Sequence, residues 1–116
     1  MLLWLHCQLF KPALEKVGVA SRLEQMVSGY SGWHFLNKDP IRNLEPSAIE
    51  RLEEINVPTL VIVGEGDLPG CHEIADILHQ KIRNVHKIVL QGVGHMSNME
   101  APQEFNEAVL RFLADN

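Results

Sequence analysis

Two residues of this 116-residue sequence stand where a carboxylate and an imidazole can act together as acid and base. Asp67 ends a Gly-Glu-Gly-Asp turn directly after the apolar run Thr59–Val63, and His95 follows a second apolar run. A carboxylate beside a histidine fixes the ring tautomer and stabilises the imidazolium. The other ring nitrogen can then take a proton from a nucleophile and return it to a leaving group. The pair therefore predicts part of a nucleophilic triad, which still requires a nucleophile.

The elements around this pair are predicted to alternate strand, helix, strand and helix. Thr59–Val63 is an apolar, largely β-branched run, which is typical of a strand covered on both faces, and Ile88–Leu90 is a second short strand. A helix behind Pro69 separates them, and a last helix opens near Pro102. The apolar faces of the two helices are formed by Ile74, Ile77, Leu78 and Ile82 and by Phe105, Val109, Phe112 and Leu113. This pattern predicts an α/β fold with helices on both faces of a parallel sheet.

Parallel strands joined by a right-handed crossover present their carboxyl ends at the same edge of the sheet. Neighbouring strands lie about 5 Å apart, so the loops after them can bring Asp67 within hydrogen-bond reach of His95. Glu65, in the same turn, is an alternative carboxylate, and an aspartate in such a turn is often only a cap or turn residue. The position of both loops favours Asp67 as the acid and His95 as the base.

Residues 1–46 have a different character from the rest. Aliphatic residues between Leu14 and Val27 have loose helical spacing, and Ser28–Trp33 supplies turn chemistry. A firmer helix is predicted from Ser47, with Glu50 at capping-box spacing, to about Ile55. We expect a helical, irregular segment over residues 1–46 and a βαβα unit over residues 47–116.

Val57–Asp67 and Gly92–Pro102 resemble the end of the α/β-hydrolase fold. The resemblance implies a C-terminal portion of a three-layer α/β-hydrolase sandwich, with Asp67 as triad acid, His95 as triad base and residues 1–46 as the rear part of the cap. It also implies hydrolysis of an ester, lactone or other small carbonyl substrate. The G-x-S-x-G nucleophile elbow and the oxyanion hole of the family would have to be supplied from outside these residues.

The sequence offers two poor substitutes for the missing nucleophile. Ser31 lies in Gly29–Trp33, which has tryptophan where the elbow requires a small residue and which follows helical sequence instead of a strand. Cys7 lacks flanking glycines and is predicted to be a buried small hydrophobe. The alternative function is a non-catalytic interaction or dimerisation module that associates through the open edge of the Leu60–Val63 strand.

Metal and cofactor sites are also weakly indicated. His72, Asp76 and His79 share one helix face but lack the second histidine of the H-E-x-x-H pattern, so a solvated polar face is favoured. Gly92 and Gly94 lack the third glycine of a dinucleotide site and are interpreted as permitting the tight loop before His95. We expect no metal and no other cofactor.

Trp33, His34 and Phe35 either line a substrate pocket, if the cap assignment holds, or form local core. Substrate-binding residues are left unassigned.

Composition limits the partners. A net charge of −5, without a basic run, argues against nucleic acid or an anionic membrane surface as a partner. The apolar start Met1–Phe10 carries no basic residue ahead of its apolar stretch and is too short to span a bilayer, so we expect neither a signal peptide nor a membrane-spanning segment there. Cys7 and Cys71 lack CxxC spacing, which favours a reducing cytoplasm.

Overall fold

The computed structural model describes residues 5–116, so the first four residues of the apolar start Met1–Phe10 lie outside the described part of the chain. The fold is α/β, as the sequence predicts: a parallel pair of strands with helices before, between and after them. Within residues 5–116 no helix is both long enough and apolar enough to cross a membrane.

The elements follow one another in a simple order. Two strands, β1 and β2, carry the sheet, and six α-helices and three 3₁₀ turns make up the rest of the regular structure in residues 5–116. In chain order these are the 3₁₀ turn Gln8–Phe10, α1 (Lys11–Leu14), α2 (Val17–Gly29), α3 (Trp33–Leu36), the 3₁₀ turns Ala48–Glu50 and Leu52–Glu54, β1 (Thr59–Gly64), α4 (Pro69–Lys81), β2 (Val85–Leu90), α5 (Ser97–Glu100) and α6 (Pro102–Asp115).

The two strands pair in parallel, with Thr59 opposite Val85 and Gly64 opposite Leu90. Strand β2 begins at Val85, three residues before the predicted start at Ile88. The polar residues His86 and Lys87 pair with β1, but the apolar pattern used for the prediction does not include them. Most of β1 is half-buried, whereas the sequence predicts a strand covered on both faces. The described sheet has two strands, so β1 has one strand neighbour and one open edge.

The helices lie on opposite faces of the sheet, which gives the predicted layers. Lys87 of β2 forms an ion pair with Asp76 of α4 on one face. The neighbouring His86 makes an edge-to-face contact with Phe112 of α6 on the other face. Ile74 of α4 is 60% exposed, so that helix covers less of its predicted apolar face than expected.

The helix predicted from Ser47 to Ile55 is wrong in type, because two short 3₁₀ turns occupy this stretch. The backbone at Arg51 (φ −114°, ψ 4°) leaves the helical region between the turns. The predicted capping pair still forms, with the Ser47 backbone N–H donating to Glu50 Oε2 at 2.8 Å.

A small apolar core holds the N-terminal helices together. It consists of Leu5, Phe10, Ala13, Leu23 and Val27. Met96, from the loop after β2, packs against this core. The N-terminal helices therefore touch the loop that carries His95.

Candidate active site

The structure brings Asp67 and His95 together. Nδ1 of His95 lies 3.1 Å from each carboxylate oxygen of Asp67. The Asp67 side chain is only 7% exposed, whereas that of His95 is 38% exposed. Asp67 is held in turn by the Leu68 backbone N–H, which donates to Oδ1 at 2.7 Å. A shielded carboxylate thus meets one nitrogen of a ring that remains accessible to solvent.

Backbone hydrogen bonds join the loops that carry the pair. The Glu65 N–H donates to the Leu90 carbonyl at 2.8 Å, and the Gly66 N–H donates to the Val93 carbonyl at 2.8 Å. These bonds continue the strand pairing past the ends of β1 and β2. The loop ends are consequently fixed relative to each other before any side chain is considered.

Glu65, the alternative carboxylate, has a different task. Its Oε2 accepts a hydrogen bond at 2.9 Å from the backbone N–H of Gly92, which adopts φ +69°. This left-handed conformation favours glycine and turns the chain toward His95, in line with the interpretation of Gly92 as a loop glycine. Asp67, not Glu65, therefore contacts the imidazole.

Gly64 permits the close approach of the two loops. A Cβ atom at this position would overlap the Gly94 carbonyl and would stand 2.6 Å from the Val93 carbonyl oxygen. Backbone atoms cannot swing aside as a flexible side chain can, so any larger residue would push the loops apart. The last residue of β1 thus sets how near the Asp67 turn comes to the His95 loop.

The carboxylate of Glu100 anchors the His95 loop and was missed by the sequence analysis. Its Oε2 accepts from the Gly94 N–H at 2.9 Å, and its Oε1 accepts from the Met96 N–H at 3.2 Å. These two donors bracket His95 in the chain, and the Glu100 side chain is fully buried. A hydrogen-bonded carboxylate in this position fixes the backbone on both sides of the imidazole.

Lys16 supplies the charge that accompanies this buried carboxylate. Its Nζ lies 3.4 Å from Glu100 Oε2 and donates to the Gly92 carbonyl at 3.1 Å. Because Lys16 immediately precedes α2, the N-terminal segment takes part in holding the loop. A pairing so distant in sequence leaves no local pattern by which it could have been found.

Cys71 is a second residue that the sequence analysis did not place at the site. It lies one helical turn beyond Asp67, and its Sγ is 3.8 Å from His95 Nδ1. Burial, and after it the hydrogen bond and charge of Asp67, raise the pKa of the Cys71 thiol. A raised pKa favours the neutral thiol, which is the less nucleophilic form. The sequence signal that could have placed Cys71 beside Asp67 is their spacing of four residues across the start of α4.

The substitutes for a nucleophile do not join the pair. Ser31 Oγ accepts from the Trp33 N–H at 3.3 Å, a local bond at the start of α3. Cys7 packs against the N-terminal core but is half-buried, not fully buried as predicted. Neither residue has a hydrogen bond to Asp67 or His95 within the described chain.

The aromatic cluster is exposed, and so it is not local core. Trp33 is 44% exposed and Phe35 is 67% exposed. Tyr30 stacks on His34, and its hydroxyl lies 2.5 Å from His34 Nδ1. These contacts join Tyr30 to His34 at the surface.

The polar face of α4 does not converge on a metal site. His72 Nε2 lies 3.2 Å from the Glu65 carbonyl oxygen, and Asp76 pairs with Lys87. His72, Asp76 and His79 do not form a potential metal-binding group among residues 5–116. Asp76 and His79 are both exposed, which agrees with the solvated polar face that the sequence favours.

A groove lies elsewhere on the molecule, between the α6 side of the sheet and α6 itself. Ile88, Leu90, Ala108 and Phe112 are among its lining residues. Neither Asp67 nor His95 lines it. This groove is therefore separate from the acid–base pair.

Comparison with known proteins finds three relatives of modest identity. The chain is 34% identical over 67 residues to a proline iminopeptidase of Thermoplasma volcanium, which covers 58% of this chain and 22% of the relative. It is 31% identical over 98 residues to a putative 2-succinyl-6-hydroxy-2,4-cyclohexadiene-1-carboxylate synthase of Bacillus subtilis, covering 84% and 30%. It is 38% identical over 65 residues to the rat monoacylglycerol lipase ABHD6, covering 56% and 19%. No family model matches the chain.

All three relatives are α/β-hydrolase family members, and the parallel strand pair between two helical layers is part of that fold. The resemblance to the α/β-hydrolase family is therefore confirmed, and the observed fold is consistent with part of an α/β-hydrolase. It spans between 19% and 30% of the length of these curated relatives. Their names denote a peptidase, a synthase and a lipase, so they share a fold and not a substrate.

Proposed function

We propose that this chain supplies the acid and the base of an α/β-hydrolase that acts on an ester, a lactone or another small carbonyl compound. Asp67 is the acid and His95 is the base. The nucleophile and the oxyanion hole come from protein outside these 116 residues. The chain alone turns over no substrate.

The contact between His95 Nδ1 and Asp67 carries this proposal. A proton on Nδ1 donates to the carboxylate and leaves the lone pair on Nε2. Nε2 has no hydrogen-bond partner in the described part of the chain, so it is free to accept the proton of an approaching nucleophile. Asp67 then stabilises the positive charge that develops on the ring.

The chain exposes more surface than a compact protein of its size, which supports the proposal of a further, nucleophile-bearing part. The accessible area is 8599 Å², whereas a compact monomer of 13.1 kDa exposes about 6,400 Å². The radius of gyration is 16.4 Å, against about 13 Å for a compact domain of this length. Excess area of this size, together with the open edge of β1, fits a chain that packs against further strands.

Two observations test the proposal, and the first is the coding sequence before Met1. A G-x-S-x-G elbow about a hundred or more residues upstream would supply the missing nucleophile in the same protein. Its absence there would require the nucleophile to come from another chain.

The second test is a chimera in which this chain replaces the matched 98-residue segment of the Bacillus subtilis relative. Hydrolysis of p-nitrophenyl acetate is measured for the chain alone and for the chimera. We expect turnover by the chimera alone, and a loss of about a hundredfold or more in its His95→Ala and Asp67→Asn variants. His79→Ala, on the exposed face of α4, is the matched control. Turnover by the isolated chain that Ser31→Ala abolishes would overturn the proposal, as would an active chimera that tolerates His95→Ala.

The open edge of β1 favours one alternative function, a non-catalytic module that pairs with a second copy of this chain. Unpaired backbone groups along Leu60–Val63 could join the same strand of a partner and close the exposed edge. Light scattering at micromolar concentration tests this alternative. A dimer that Val61→Pro converts to a monomer would support it, and a monomeric wild-type chain would contradict it.

A further inference from the structure

Three potential metal ligands meet at the acid–base pair. A carboxylate oxygen of Asp67, Sγ of Cys71 and Nδ1 of His95 all lie within 4.8 Å of one another. Nδ1 is 3.1 Å from the carboxylate oxygens and 3.8 Å from the sulfur. Asp67 and Cys71 are half-buried and His95 is exposed, so the group has one open side.

These separations are close to those of a tetrahedral zinc site. Bonds of about 2.3 Å to sulfur, 2.0 to 2.1 Å to nitrogen and 2.0 to 2.2 Å to oxygen place neighbouring ligand atoms about 3.4 to 3.6 Å apart. The two distances to Nδ1 require shifts of a few tenths of an ångström. The sulfur and the carboxylate oxygen lie within 4.8 Å of each other, so they must approach by up to about 1.2 Å. The open side leaves the fourth position for water, as in zinc sites that have three protein ligands.

The donor set also selects the kind of cation. A thiolate and an imidazole favour zinc and similar thiophilic ions, whereas magnesium and calcium prefer oxygen donors alone. The charges of one carboxylate and one thiolate balance a divalent ion. Among residues 5–116, this is the group of histidine, cysteine and acidic side chains whose donor atoms converge.

We propose that Asp67, Cys71 and His95 bind Zn²⁺, and that the bound ion switches off the base. The second part rests on the proposed function. Binding releases the thiol proton of Cys71 to solvent, because the metal coordinates the thiolate. It also takes the lone pair of Nδ1, which places the ring proton on Nε2. A protonated Nε2 cannot accept a proton from a nucleophile, so zinc occupancy and general-base action exclude each other.

Binding is tested without any measurement of activity. The metal-free 116-residue chain is titrated with Co²⁺, whose bond to a thiolate gives a near-ultraviolet charge-transfer absorption, and Zn²⁺ is then added to displace it. We expect the band in the wild type and in the matched control Cys7→Ser, and its absence in Cys71→Ser. Asp67→Asn is the second variant, and circular dichroism establishes that each variant is folded. Loss of a residue that only hydrogen-bonds to a metal ligand weakens metal binding roughly 10- to 100-fold. Loss of a ligand itself should weaken it by more.

A wild-type chain without the band, or a Cys71→Ser chain that retains it, would overturn the metal site. Inhibition is tested separately in the chimera. A zinc concentration that fully displaces Co²⁺ from the wild-type chain should stop ester hydrolysis by the chimera. Each variant is compared with its own zinc-free rate. In Cys71→Ser, the zinc concentration needed for half-inhibition should rise about tenfold or more. Undiminished turnover at saturating zinc would overturn the switch and leave the proposed function intact. A chimera that binds zinc but has no turnover would count against the proposed function and leave the metal site intact.

Discussion

Lys16 Nζ lies 3.4 Å from Glu100 Oε2, and this ion pair links the N-terminal helices to the loop that carries His95. Glu100 is fully buried and accepts hydrogen bonds from the backbone on both sides of His95. The geometry of the acid–base pair therefore depends on residues that themselves touch neither Asp67 nor the imidazole. Several substitutions separate these supporting contacts from the pair itself.

Replacing Glu100 with glutamine should destabilise the chain and loosen the His95 loop. Each carboxylate oxygen of Glu100 accepts a hydrogen bond from one backbone N–H. In glutamine an NH₂ group replaces one of these oxygens, so one backbone N–H loses its acceptor. The substitution also removes the negative charge beside Lys16. We expect a loss of about 1 to 3 kcal/mol in the free energy of unfolding, measured with urea. Glu73→Gln, on the exposed side of α4, is the control. Equal losses in the two variants would contradict the anchoring role of Glu100.

Replacing Lys16 with methionine should cost less than replacing Glu100, because the buried carboxylate keeps its two backbone donors. The two substitutions should nevertheless be coupled, since they remove partners of one ion pair. A double-mutant cycle with Glu100→Gln should give an interaction energy of about 0.5 kcal/mol or more. Strict additivity would mean that the Lys16–Glu100 contact contributes nothing to stability.

Replacing Gly64 with alanine should be among the most damaging small changes in the chain. Its Cβ would overlap the Gly94 carbonyl, so the backbone of one loop must move. We expect a loss of about 2 to 3 kcal/mol or more in the free energy of unfolding. Gly70→Ala is a matched control, because a Cβ there would meet no atom within 4 Å beyond its chain neighbours and the backbone of its own helix. Helix propensity also favours alanine over glycine. That control should be neutral or slightly stabilising, and similar losses at both positions would contradict the close-approach account.

The contribution of the ion pair between Asp76 and Lys87 should disappear in acid. The hydrogen bond and charge of Lys87 lower the pKa of the Asp76 carboxyl below its ordinary value of 3.8. A lowered folded-state pKa means that the stabilisation is complete above about pH 3.8 and is lost as the pH falls through the folded-state value. The urea midpoint of wild type should therefore exceed that of Asp76→Asn near pH 6, and the difference should vanish below the folded-state pKa.

Two conditions check the origin of that difference. It should also shrink in 1 M salt, because Asp76 is exposed and its interaction is screened. It should be absent in a Lys87→Met background. A difference that persists in acid or without Lys87 would point to a cause other than the ion pair.

The sequence predicted the elements whose patterns are local. The apolar run of Thr59–Val63 and the proline near the start of α6 placed a strand and a helix close to their observed positions. The loops after two parallel strands also predicted that Asp67 and His95 would meet. The turns near Arg51 were predicted as one helix, because a capping pattern marks where a helix begins and not how far it continues.

What the sequence could not provide is the set of contacts between distant segments. Glu100 lies five residues after His95 but acts through backbone donors, for which side-chain patterns carry no information. Its partner Lys16 belongs to a segment that no sequence pattern connects to the site. The exposure of Ile74 is likewise a tertiary property, since a helical face predicts burial only when a neighbour is present to cover it.

The tautomer of His95 tests the central claim most directly. In the metal-free chain at a pH where the ring is neutral, ¹⁵N NMR distinguishes a protonated Nδ1 from a protonated Nε2. We expect the proton on Nδ1 in the wild type, because Asp67 accepts its hydrogen bond and leaves Nε2 as the base. Asp67→Asn should abolish that preference. A wild-type ring protonated on Nε2, or a tautomer unchanged by Asp67→Asn, would contradict the assignment of Asp67 and His95 as acid and base.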